Sequence, residues 1–222
     1  TNITPRNAVR VTLLDARPHA GYDGAIMRIL YIAEIVGKSG VYCVKTLLPR
    51  LRKEREIDFV IANGDGATGG FGIGKNHSIY LRKLGVDVIT GGDQTFFKKD
   101  IADHIDNAYY MLRPANLPPD MPGRGWRHYT VRPREWAELE TVAPASGADR
   151  SENDGSGDER SDKTVGVKIA VMSLIGQSGF ERIHGGNPFT YLQNVIDRVR
   201  KESAAVIVDF HALTTAEKYT MF

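Results

Sequence analysis

Cysteine is nearly absent from this chain of 222 residues; Cys43 stands alone. A single thiol cannot close an internal disulfide, so a reducing compartment, the cytoplasm, is the expected setting. No run is long and apolar enough to span a membrane, and residues 1–26 lack the continuous apolar core of a secretory signal. A basic stripe interleaved with aromatics is also missing. The 29 Lys and Arg are dispersed among 27 Asp and Glu, a net charge of +2, so a nucleic-acid polymer is not an expected partner. Large apolar residues vanish altogether over 146–164, SGADRSENDGSGDERSDKT, which reads as a solvated, mobile insertion at a hairpin tip. Its carboxylates lack the ligand spacing of an EF-hand loop.

The chain as a whole is 41% hydrophobic in composition, enough for one sizeable core. No sustained period runs through residues 1–26, and at Met27 the character changes abruptly to RILYIAEIV. Met27 is therefore the expected start of the fold, with 1–26 an extension outside it and 27–222 a single domain. RILYIA (28–33), IDFVIAN (57–63), VDVITG (86–91), VGVKIAVMSLIG (165–176) and AAVIVDF (204–210) read as strands, the fourth pairing with RHYTV upstream. Val41, Val44, Leu47, Leu48 and Leu51 recur at helical spacing, with Ser39 the expected N-cap and Pro49 expected to kink or break the helix. KNHSIYLRKL is a helix closed by Gly85, KKDIADHID is helical, and NPFTYLQNVIDRVRKES is a helix with Asn187 as N-cap and Pro188 at its first position. MLRPANLPPDMPGRGW (111–126) is a Pro- and Gly-rich loop. Strands alternating with helices predict a largely parallel α/β sheet.

In such sheets ligands bind beyond the carboxyl ends of the strands. Glu34 follows the first strand, Asn63 and Asp65 the second, Asp93 and Gln94 the third, and His211 the last. Carboxylates from distant parts of the chain can thus meet one imidazole in a single crevice. Without a cation they would repel one another, and this hard oxygen-rich donor set suits Mn²⁺, Fe²⁺, Mg²⁺ or Zn²⁺. Taken one at a time, each residue has a plainer explanation as a cap, a solvated carboxylate or a hydrogen-bonded histidine; the repetition at four strand ends favours metal. The stretch NGDGATGGFGIGKNH (63–77) also approaches a phosphate-cradling loop through Gly69, Gly74 and Lys75. Asn76 stands where that loop needs a Mg²⁺-binding hydroxyl, and the turn is too long, so the metal-bearing turn is the better reading.

Five segments in order, MRILYIAEIVGKSG, IDFVIANGDGATGGFGI, GVDVITGGDQT, LRPANLPPDMPGRG and VDFHALTTAEK, resemble the YmdB-like branch of the calcineurin-like metallophosphoesterases. The similarity runs from Met27 to about Met221. It implies an α/β/β/α sandwich, a dinuclear divalent-metal centre in a complete relative, and phosphodiesterase activity on a small phosphodiester such as a 2′,3′-cyclic nucleotide. A homo-oligomer is compatible with it. The resemblance places Glu34, Asp65, Asp93 and His211 at metal-ligand positions. The family's Gly-Asp-Ile-Val-Gly stands here as Ala33, Glu34, Ile35, Val36 and Gly37, and its Asn-Gly-Glu-Asn as Asn63, Gly64, Asp65 and Gly66. Its Gly-Asn-His-Thr becomes Gly92, Asp93, Gln94 and Thr95, so Gln94 occupies the slot of the catalytic histidine and brings no titratable proton. The family's later Gly-Thr-His-Thr-His segment does not occur in the sequence, so a sandwich incomplete at its C-terminal side is expected. Three readings follow: a metal-dependent phosphoesterase, a catalytically impaired descendant that binds a nucleotide or protein partner, or the remnant of a disrupted gene.

Overall fold

The structure is a computed structural model that describes residues 10–16, 26–133, 166–180, 183 and 185–221. Two sheets frame these residues. The first has the order β1 (Arg10–Ala16), β2 (Met27–Ala33), β3 (Phe59–Asn63), β4 (Val88–Thr90), β5 (Met111–Leu112). β2 to β5 run parallel, and β1 lies antiparallel to β2 over its seven residues. The second has the order β6 (Trp126–Val131), β7 (Val167–Ile175), β8 (Ala205–His211), with β6 antiparallel and β8 parallel to β7.

Alternation along the strands builds three layers of packing, because successive side chains point to opposite faces. Met27, Ile29, Phe59, Ile61, Val88 and Leu112 of the first sheet meet Val131, Val167, Ile169 and Val171 of the second. The opposite faces of β2, β3 and β4 pack on α1 (Gly37–Glu54), α2 (Lys75–Lys83) and α3 (Lys99–Ile105) through Val44, Leu48, Leu81, Ile101 and Ile105. The outer face of the second sheet, Ala170, Met172 and Leu174, is covered by Leu192, Val195 and Val199 of α4 (Pro188–Lys201). A short α5 (Thr215–Thr220) follows β8. This is the expected α/β/β/α sandwich. β3 is buried at all five positions, which explains why its sequence is a continuous apolar run rather than an alternating one.

Several expectations change. Residues 10–16, assigned to an extension outside the fold, pair along the whole of β2, so the sheet begins before Met27. Residues 1–9 and 17–25, and the acidic stretch 146–164, lie outside the described residues. The alternation of strands and helices foretold the parallel pairing of β2 to β4, but not the division into two sheets. Ser39 is not the N-cap of α1. The cap is Val36, without a side-chain hydrogen bond, and Ser39 already sits in the first turn, where its hydroxyl reaches back to the Val36 carbonyl at 3.5 Å. α1 also continues through Pro49 to Glu54. Pro49 and Lys45, whose carbonyl loses its partner there, are both on the exposed side, where water replaces the lost hydrogen bond. The same exposed side takes Leu47, counted with the apolar face in the sequence. Met111 and Leu112, read as loop, form β5. By contrast Asn187 caps α4 as expected, its side chain accepting from Phe189 N at 2.9 Å and Thr190 N at 3.2 Å. No helix among the described residues is long and apolar enough to cross a membrane.

Candidate metal centre

The seam between the sheets is apolar through most of its length and polar at the carboxyl ends of the strands. Asn63 closes β3, and its side-chain oxygen accepts from the Asp65 backbone N at 3.0 Å, fixing the turn that aims Asp65 into the crevice. The Asp65 carboxylate is buried. It accepts from Gly92 N at 2.6 Å and from Gln94 N at 2.9 Å, both in the turn after β4. Burial raises its pKa to about 6, against the pull of those two backbone N–H groups. Gly92 is the point of closest approach: a β-carbon there would lie 2.7 Å from the His211 ring and 2.8 Å from Asp65 Oδ2, so no side chain fits.

His211 enters from the end of β8. Its Nε2 lies 2.9 Å from Asp93 Oδ1, and Phe180 stacks on the ring with centroids 5.9 Å apart. Asp65, Asp93 and His211 each offer one ligand atom, and all three atoms lie within 4.8 Å of one another. Two carboxylates and an imidazole at that separation fit a divalent cation, and three protein ligands leave coordination positions open.

Asp209, two residues before His211 on the same face of β8, was not singled out in the sequence. It is buried, and it accepts from Tyr31 Oη at 2.5 Å, from Asn63 Nδ2 at 3.0 Å and from the Thr90 hydroxyl. One carboxylate of the second sheet is thereby held by β2, β3 and β4 of the first. Burial, reinforced by the charge of Asp209 and the hydrogen bond to it, drives the Tyr31 hydroxyl pKa far upward, so this donor keeps its proton. Ser173 of β7 adds a second tie, donating to the Gly91 carbonyl at 2.9 Å. A signal for Asp209 existed: a lone acid inside an apolar strand, in phase with His211.

The other expected residues stand differently. Glu34 lies outside the three-residue cluster and is largely open to solvent; a β-carbon on Gly66 would touch its Oε1 at 2.8 Å. Desolvation on its crevice side raises its pKa, His211 opposes the shift, and Asp93 and Asp209 add to it. Gln94 uses its backbone N to hold Asp65, while its side-chain oxygen is buried without a hydrogen-bond partner. The stretch 69–76 does not form a phosphate cradle. Gly74 N is taken by the Thr68 hydroxyl at 2.8 Å and Lys75 N by Asp100 at 3.0 Å, so the start of α2 is capped from within the chain.

A two-sheet sandwich with carboxylates and a histidine at its strand ends defines a class, and sequence comparison narrows it. The profile of the YmdB-like protein family matches residues 30–143 and 140–222. The chain belongs to the YmdB-like family. It is 29% identical over 195 residues to the 2′,3′-cyclic-nucleotide 2′-phosphodiesterase of Bacillus subtilis (strain 168), covering 88% of this chain and 61% of that one. Among solved structures it superposes on a novel phosphatase from Mycoplasma pneumoniae with a TM-score of 0.66 and 25% identity, over 87% of this chain and 58% of the other. A hypothetical protein from Thermus thermophilus gives the same TM-score at 23% identity, over 88% of this chain and 62% of the other, and shows the fold alone. The chain spans 57% to 61% of the length of the curated relatives it matches.

Proposed function

We propose that Asp65, Asp93 and His211 bind a divalent cation and that the crevice serves a metal-dependent phosphoesterase acting on a small phosphodiester, such as a 2′,3′-cyclic nucleotide. The observation that carries this reading is the convergence of the three ligand atoms within 4.8 Å, at or just beyond the carboxyl ends of three separate strands. The Bacillus subtilis relative supports the substrate class. Such a cation, when bound, polarises the phosphate and lowers the pKa of a coordinated water. The chain's own residues do the positioning: Gly92 N and Gln94 N fix the Asp65 carboxylate, Asp93 orients the His211 ring, and Glu34 borders the crevice as a further carboxylate for a second ion. Mn²⁺, Fe²⁺, Mg²⁺ and Zn²⁺ all suit the donors.

One observation favours a second reading, binding without turnover. Gln94 cannot supply a titrating proton to a leaving oxygen, a role that contributes about 10²–10⁴-fold. Two measurements separate the readings. Mn²⁺ binding should weaken more than about 100-fold in Asp65→Ala, since loss of an outer-shell partner alone costs 10–100-fold. The catalytic reading then expects hydrolysis of bis-p-nitrophenyl phosphate, whose leaving group needs no proton, slow hydrolysis of 2′,3′-cAMP, and recovery of the latter in Gln94→His. Retained nucleotide binding with no hydrolysis of either compound, and no rescue by Gln94→His, would select the second reading. Unchanged Mn²⁺ affinity in Asp65→Ala would remove both.

A further inference from the structure

Phe71 and Phe97 are 54% and 59% exposed, and their rings lie 5.6 Å apart at 30°. Neither belongs to a core cluster. Isolated exposed aromatics need no explanation, but two in mutual contact beside a crevice form a patch that something can cover. Their position follows from the loops that build the metal centre. Phe71 lies in the Gly-rich loop that begins with Asp65, and Phe97 ends the turn that carries Asp93 and Gln94, its N donating to the Gln94 carbonyl at 2.9 Å. The two loops touch at Gly72, where a β-carbon would fall 2.7 Å from the Gln94 carbonyl oxygen and 3.0 Å from Phe97 Cβ. The loop itself is closed by Thr68 N donating to the Gly72 carbonyl at 2.8 Å. The rings are therefore presented on two mutually braced loops, one leading from Asp65 and the other from Asp93.

We propose that Phe71 and Phe97 are a stacking platform for the base of a nucleotide whose phosphate occupies the Asp65–Asp93–His211 cluster. This deepens the phosphoesterase reading and rests on it, because it names what the far end of the phosphodiester carries. Every nucleobase offers a flat π-face, and stacking on an aromatic side chain does not depend on base-specific hydrogen bonds. Lys98 Nζ lies over the Phe97 ring, 4.9 Å from its centroid, so a base that stacks on Phe97 from that side displaces this flexible side chain, whose ammonium then stays beside the nucleotide as a positive charge. An anion guided past Lys98 reaches the cluster with its base over the rings. The platform accepts any base, and the larger face of a purine should stack better than that of a pyrimidine.

The test compares two ligands that differ only in the base, adenosine 5′-monophosphate and ribose 5-phosphate, titrated calorimetrically into the Mn²⁺-loaded protein. The nucleotide should bind about tenfold more tightly. Phe71→Ala and Phe97→Ala should each weaken nucleotide binding by roughly 5- to 10-fold, toward the level of ribose 5-phosphate and no further, which is the lower part of the range that base–aromatic stacking supports. Neither should alter ribose 5-phosphate binding, and Phe97→Trp should retain the preference where Phe97→Leu loses it. Equal affinity for the two ligands would overturn the platform while leaving the phosphoesterase reading in place. Failure of both to bind would overturn the two together. Loss of a dimer in Phe71→Ala with nucleotide affinity unchanged would make the patch an interface between copies and refute the proposal.

Discussion

Asp65 and His211 offer ligand atoms to the same point, yet the molecule holds them by different means. Asp65 follows β3, a strand buried at every position and flanked by β2 and β4. Its carboxylate is fixed by two backbone N–H groups and its own N–H by Asn63. His211 ends β8, which pairs on one side only among the described residues and is partly exposed along its length except at Asp209. Among the described residues the ring is steadied by Asp93 and Phe180. The first sheet thus delivers a ligand set in place by the backbone. The second delivers one whose position depends on how firmly its strand is tied across the seam, and Asp209 is the tie.

Removing that tie is the strongest way to break the contrast. Asp209→Ala would strand the donors of Tyr31 and Asn63 and leave the Thr90 hydroxyl only its longer hydrogen bond to the Ala62 carbonyl at 3.4 Å. At roughly 1–3 kcal/mol for each buried group left unsatisfied, with partial relaxation, we expect a loss of about 3–5 kcal/mol in urea unfolding. Mn²⁺ affinity should fall 10–100-fold in the protein that remains folded. A loss below about 1 kcal/mol would mean that the sheets are aligned by their apolar seam alone.

Acid should act on the first sheet's ligand. Asp65 titrates near pH 6 in the folded, metal-free protein, and a cation needs its ionised form. Mn²⁺ affinity should therefore fall by roughly tenfold per pH unit below 6 and level off above it. The sign for stability is opposite. Because the folded pKa is raised, this group favours folding most at a pH below its unfolded value, and the contribution is lost as pH rises through 6. Calorimetric titrations from pH 5 to 7.5 in Mn²⁺ and in chelator would separate the two trends. The smallest effect belongs to His211→Ala. With an edge position and one side-chain hydrogen bond, it should shift the unfolding free energy by about 0.5 kcal/mol or less while still weakening Mn²⁺ binding. A shift of several kcal/mol would show β8 to be as firmly built as β3 and would erase the distinction.

Much of this arrangement could be read from the chain itself. Strand runs such as FVIAN and VIVDFH have a strong apolar signal, and a ligand that follows a strand end is placed by the sheet before any side chain is considered. Asp65, Asp93 and His211 were legible for that reason. Asp209 was marked only as a lone acid in an apolar strand, and its role could not be read there because its partners lie from 119 to 178 residues away. Phe71 was masked by the glycines around it, whose spacing suggested a phosphate loop. RVTLLDA was masked by the aperiodic residues on either side. Ser39 and Pro49 misled for the opposite reason: each carries a strong local preference, and α1 overrides both because its buried stripe of Gly40, Val41, Val44 and Leu48 sets where the helix lies.

The register of the second sheet also has a practical side. Val131 pairs with Val167, while Ile175 pairs with His211. Val131 and Val167 therefore mark the end of the sheet remote from the Asp65–Asp93–His211 cluster. That end is a natural attachment point: a fluorophore or an affinity handle placed beside Val131 or Val167 would have a strand's length of sheet between it and the candidate site.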